Sequence, residues 1–229
     1  MSIAIFHNLT EKDKSEAVQH LISASSPRQD FFLMVILSML MATFGLFLNS
    51  SAVIIGSMLI APILSPILSL ALGIVMADGK LISLSFFTLL KSIILGVAAA
   101  ALVALFLGQS GLTEEIMART APSLPYLAIA VVAGLAVSFA LVKPQLNETL
   151  PGVAISVALI PPLAVTGIGI ARLDWHIISS SLIFFVVNAA GIIFSSIIVF
   201  SLMNFYVKRK VASEAVAKEE KEIQKEKTL

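Results

Sequence analysis

Between Asn49 and Asp78 the chain reads NSSAVIIGSMLIAPILSPILSLALGIVMAD, an apolar stretch long enough to cross a bilayer and uncharged until Asp78. Its middle carries Pro62 and Pro66, with Ser65 and Ser69 alongside. Each proline lacks a backbone donor and collides with the carbonyl four residues back, so a helix through this stretch is interrupted. In hydrocarbon the polar groups so freed are tolerated only where protein or a watery cavity satisfies them. The pattern recurs later: Asn147 opens NETLPGVAISVALIPPLAVTGIGIA, and Pro161 and Pro162 stand nearly as far from that asparagine as Pro62 and Pro66 do from Asn49. Two interrupted apolar helices in corresponding positions set what this chain can fold into.

The composition fixes the solvent. Of 229 residues, 58% are hydrophobic and 13% charged, with a mean hydropathy of +1.01, whereas soluble domains carry about 25% charged residues. Apolar runs of about 20 residues exclude a barrel, whose strands alternate over about 10. The expected class is therefore an all-α integral membrane protein. With no cysteine there is no disulfide framework, thiolate nucleophile or Cys-based metal site. His7, His20 and His176 are scattered, and no paired carboxylates, phosphate loop or nucleophile motif accompany them. The expectation is a protein that is not an enzyme, without cofactor, metal site or nucleic-acid partner. The N-terminus lacks the order of a cleaved signal peptide, so the first membrane helix is expected to serve as its own signal.

Three regions follow in order. Residues 1–30 form a cytoplasmic N-terminal segment whose TEKDKSEAVQHLIS carries a capping threonine and Ala17, Val18, Leu21 and Ile22 at helical spacing, which reads as an amphipathic helix. Residues 31–205 hold six predicted spans: Phe31–Leu48, the interrupted segment to Met76, Leu81–Leu107, Leu124–Val142, the second interrupted segment from Leu150 to Ala171, and Ile177–Phe205. Residues 206–229 form a charged cytoplasmic tail rich in helix formers. With six crossings, Lys12, Lys14, Arg28, Lys80, Lys143 and the tail share one side, against Arg119 and Arg172 on the other. Both termini are thus expected in the cytoplasm, in a multi-pass protein of the plasma membrane. The rival arrangement makes the interrupted segments re-entrant hairpins.

Divided after the polar stretch Gly108–Ser123, each half (31–107 and 124–205) reads intact span, broken span, intact span. Because three is odd, the second half enters from the opposite face, the inverted-topology repeat of many secondary transporters. The expected site lies at the breaks, where half-helix N-termini attract anions and freed carbonyls hold cations. Its candidates are Asn49, Ser57, Pro62, Ser65, Pro66, Asn147, Pro161, Pro162 and Thr166, with Asn188 near the centre of the last span. Packing competes as an explanation, since hydroxyls also bond back to their own helix and prolines merely kink. No Asp or Glu falls inside a predicted span, which disfavours a carboxylate proton relay, and Lys91 is placed to snorkel. The leading reading is a transporter or channel for a small solute or ion. The other is a non-transporting scaffold or sensor that assembles through its helices and tail. A homo-oligomer is expected, with the small residues Gly96–Ala101 as a close-approach surface.

The runs DFFLMVILSMLMATFGLFLNSSAVIIGSMLIAPILSPILSLALGI and LPGVAISVALIPPLAVTGIGIA closely resemble the hydrophobic membrane domain known as domain of unknown function 389. The resemblance spans about Arg28 to Phe205 and rests on the NSSAVIIGSMLIAP and LPGVAISVALIPPLAV phrases. It implies a multi-span prokaryotic membrane protein, in a short form without the larger soluble N-terminal extension of some members. It implies no particular activity and no functional residues.

Overall fold

A computed structural model describes residues 10–107, 111–143 and 159–226. Helix α1 (Glu11–Ala24) starts at a reciprocal cap, the Thr10 hydroxyl accepting from the Asp13 N–H at 3.1 Å and the Asp13 carboxylate from the Thr10 N–H at 3.0 Å. Then follow α2 (Gln29–Phe47), α3 (Ser51–Ile60), α4 (Leu64–Met76), α5 (Gly79–Leu107), the short α6 (Glu114–Met117), α7 (Leu124–Val142), α8 (Ile160–Arg172) and α9 (Trp175–Leu202). A 3-10 turn at Phe205–Lys208 leads into α10 (Arg209–Glu226). The described residues contain no strand.

One corner is built three times, after Gly45, Gly73 and Gly169. Four residues on, Asn49, Ala77 and Leu173 take left-handed φ values of 51°, 48° and 56°. Five residues on, the N–H groups of Ser50, Asp78 and Asp174 donate to the glycine carbonyls at 2.9, 3.0 and 3.0 Å, which closes the preceding helix. The next helix then passes so close that a Cβ on each glycine would meet the backbone nitrogen of Ile54, Ile82 or Ile178 at 3.0 to 3.1 Å. At the second and third corners an aspartate caps the new helix. Asp78 accepts from the N–H groups of Lys80 and Leu81 at 3.0 and 3.1 Å, and Asp174 from those of His176 and Ile177 at the same distances.

The corners order the bundle. α3 folds back on α2, with Gly56 beside Met41 and the Ser38 hydroxyl donating to the Ser57 carbonyl at 2.8 Å. α4 continues α3 at a bend of 50°. α5 returns alongside α2, Gly96 against Met39 and Val35, and its following residues dock on the first corner: the Thr113 hydroxyl donates to the Leu46 carbonyl at 2.7 Å and the Glu115 N–H to Asn49 at 3.1 Å. α7 and α9 run parallel, since Tyr126 stacks near Phe184, Gly191 meets Ala130, Gly134 meets Ile192, and Ser138 bonds Ser196 at 2.7 Å. One end of the bundle therefore carries α1, α10, the Asp78 corner and Lys143. The other carries residues 111–123 with the Ser50 and Asp174 corners. α4/α5 and α8/α9, the two hairpins with aspartate corners, point in opposite directions and pack α4 on α9 and α5 on α8.

Four of the helices are long and apolar enough to cross a bilayer, five when the bent pair α3/α4 counts as one. The boundaries follow the sequence expectation closely for α2, α5, α7 and α9. For the expected fifth span the described part is α8, whose 13 residues reach about 20 Å against a hydrocarbon core of about 30 Å. One expectation is corrected outright: Gly96 and Ala100 are not an assembly surface. Gly96 seats α2, and Ala100 lies where a Cβ on Gly167 of α8 would be 2.6 Å away. Bulk at Gly96 would separate helices within one chain.

At the tail end the Glu11 carboxylate takes the Lys208 ammonium at 2.9 Å. That hydrogen bond first, then Lys14, holds Glu11 below its ordinary value of 4.5. A depressed folded pKa contributes stability above the unfolded value and loses it as pH falls through the folded one. Hydrogen exchange in α1 should therefore speed up below pH 4.5, and Lys208→Met should abolish that part of the acid response. The corners give a second test by melting temperature. Ala77→Gly should stabilise by about 1 kcal/mol by removing a Cβ from a left-handed residue. Gly167→Ala should destabilise by about 1–3 kcal/mol, because the Val97 carbonyl would stand 2.8 Å from the new methyl, while Gly79→Ala, which meets nothing within 4 Å, should not.

Candidate functional site

The first break is made by the prolines, and cheaply. Pro62 forces the residue before it into extended backbone, and Ala61 sits at φ −74°, ψ 121°. α3 stops at Ile60 and α4 starts at Leu64. Pro66 falls in the first turn of α4, where helix N–H groups have no acceptor, so its missing donor leaves nothing unsatisfied. The Pro62 carbonyl accepts from the Ser65 N–H at 3.2 Å. α8 starts in the same way, with Pro161 and Pro162 in its first turn and the Pro162 carbonyl taking the Thr166 hydroxyl at 2.9 Å. Proline removes some of the amides that such a start would offer, Pro66 at α4 and Pro161 and Pro162 at α8, while Leu64 and Ile160 keep theirs and the carbonyls ending α3 add acceptors.

The remaining candidates separate. Asn49 lies at the left-handed corner, about 15 Å of helix from the break across the ten residues of α3. There its side-chain oxygen holds Glu115, and Ser51 holds the Glu115 carboxylate. Ser57 is buried and donates to its own helix at Ile54, 2.6 Å away. Ser65 is half-buried and Pro66 buried. Thr166 faces Ser181 of α9 at 2.8 Å, not the first break. Asn188 is buried on α9. Asn147 lies outside the described residues, as do Glu148, Gly152 and Ser156.

In depth the two starts are comparable. Measured from the loop end, the first break lies about 15 Å deep and the start of α8 about 20 Å, from helices of 10 and 13 residues. α3 touches α8, whereas α4 and α8 both lean on α5 and α9. Ser69 turns outward from this arrangement to the N-terminal helix, bonding the buried Ser25 hydroxyl at 2.8 Å.

A cavity of about 350 Å³ opens onto the first break, lined by Ile60 and Pro62 together with His20, Ser26, Arg28 and Asp30. Ser26 is 1% exposed and its hydroxyl has no hydrogen-bond partner among the described residues. Arg28 reaches across to Glu219 and Glu222 of α10 at 3.7 and 3.6 Å and donates to the Ser23 hydroxyl at 2.9 Å. Asp30, in the first turn of α2, accepts from the Phe31 N–H at 2.8 Å. In the sequence Arg28 and Asp30 read as markers of the membrane interface, and Ser26 as the end of the N-terminal helix. The available signal was their position just ahead of the first span, close to where α1 folds back.

A curated uncharacterised protein of Methanocaldococcus jannaschii is 36% identical over 169 residues, covering 74% of this chain and 52% of that protein. The chain thus spans about half the length of the curated relative it matches. No solved structure matches. The family model described as "Domain of unknown function (DUF389)" matches residues 58–194, from the last turns of α3, through the break and both aspartate corners, into α9. The chain belongs to this family of unknown function, as an all-helical protein whose apolar helices suit a membrane.

Proposed function

We propose that the protein is a transporter or channel for a small solute or ion, assembled from two inverted three-helix halves and acting as a homo-oligomer in the prokaryotic plasma membrane. The observation that carries this reading is the repeated aspartate corner. It closes α4/α5 at one end of the bundle and α8/α9 at the other, and in each half the helix leading to it begins at prolines in mid-bundle. Discontinuous helices in oppositely oriented repeats are the arrangement in which secondary transporters place their sites. Six crossings are supported by the directions of the described helices: α3/α4 bends by 50° without reversing, and α7 and α9 run parallel. Arg28, Lys80, Lys143 and the tail lysines gather at one end, which supports reading that end as cytoplasmic. On this reading the cavity at Pro62 is the cytoplasmic vestibule, with Arg28 and Asp30 at its wall beside the break.

A scaffold is the second reading, favoured by Ser57 and Thr166, whose hydroxyls bond carbonyls of their own helices, as packing alone requires. Flux in proteoliposomes across a panel of small cations and neutral solutes separates the two. On the transport reading, Ser65→Val and Thr166→Val change flux at least about tenfold while costing at most about 1 kcal/mol of stability. Parallel losses in flux and melting temperature, or no flux for any solute, support the scaffold. Topology has its own test in this cysteine-free chain. An impermeant thiol reagent applied to intact cells should label a cysteine at position 112 and spare one at position 79.

A further inference from the structure

We propose that the groove between the start of α5 and the tail helix α10 binds the phosphate of an anionic phospholipid. Lys80, Leu84, Phe87 and Lys91 fall on one face of α5, spaced by four, three and four residues. Together with Ser83, Pro27 and Glu220 they line a groove of about 290 Å³. Lys91 stands among side chains suited to acyl chains: Phe87 is 54% exposed and Ile94 59%. It lies about 16 Å along the helix from Lys80, and helix side chains lean toward the N-terminus, so its ammonium reaches back into the groove. An ammonium beside hydrocarbon needs a counter-charge. Neither lysine forms an ion pair among the described residues. Two lysines less Glu220 leave one positive charge, which matches a phosphodiester. The groove continues into the exposed apolar face of α5, so the occupant is a lipid and not free phosphate.

The test uses the full chain in mild detergent, with bound lipid counted by native mass spectrometry. Wild-type protein should retain phosphatidylglycerol at least about tenfold over phosphatidylcholine. The double variant Lys80→Met, Lys91→Met should lose that preference, and Lys80→Arg, Lys91→Arg should restore it. Glu220→Gln should strengthen retention, and Lys12→Met, which removes a lysine paired with Glu16, should leave it unchanged. Equal retention of the two lipids by wild-type protein overturns the proposal without any variant. So does full competition by millimolar inorganic phosphate, or a double methionine variant that keeps the preference.

Discussion

The rest of the bundle depends on the burial of α8. Its residues from Ile160 to Gly169 are buried without interruption, so no face is left for lipid until Ile170 in the last turn. A helix enclosed on every side must be small where it meets a neighbour's backbone, and Gly167 is where it does so. The carbonyl of Val97, the N–H of Ala101 and the methyl of Ala100 all stand within 2.9 Å of the space a Cβ would need. That contact sets the spacing of α5 and α8, and through α5 the position of α2, which closes over Gly96. Close approach of backbones is what holds helices together where no water drives apolar association.

Polar groups in the bundle are satisfied locally, and this shapes the functional reading. Thr43, Thr88, Ser92 and Ser195 each donate to a carbonyl four residues back at 2.7 to 2.9 Å. Other hydroxyls bridge helices, as Ser38 does to Ser57, Thr166 to Ser181 and Ser138 to Ser196. The prolines at both breaks stand where a helix has no acceptor for an N–H anyway. A chain arranged in this way can interrupt a helix deep in hydrocarbon at little cost. The cavity at Pro62 with the buried Ser26 hydroxyl is where that economy is relaxed.

The tail end is tied by charges, the loop end by hydrogen bonds. Arg28 joins the entry of α2 to Glu219 and Glu222 of α10, and Glu11 joins α1 to Lys208. At the loop end, Thr113 and Glu115 cover the α2/α3 corner. Burial of Val18, Leu21, Ile22, Ala212 and Val216 adds apolar contact to these charge ties.

By itself the sequence determined the class of protein, the helices and the places where they break. An apolar run with prolines at Pro62 and Pro66 has one local solution, and Thr10 with Asp13 specifies a helix start wherever it sits. Leu124–Val142 matches its expected span residue for residue. The corners at Gly45, Gly73 and Gly169 lay in plain view, but their equivalence emerges only from backbone angles, since Asn, Ala and Leu share no signature for left-handed φ. Which faces meet was decided by tertiary structure. The small residues of Gly96–Ala101 look the same in sequence whether they receive a second chain or α2 and α8, and periodicity along a helix that is apolar all round does not distinguish lipid from protein. The cavity was hidden for a related reason: His20, Ser26, Arg28 and Asp30 become neighbours of Pro62 only because α1 folds back onto the first break, a long-range contact that no local spacing encodes.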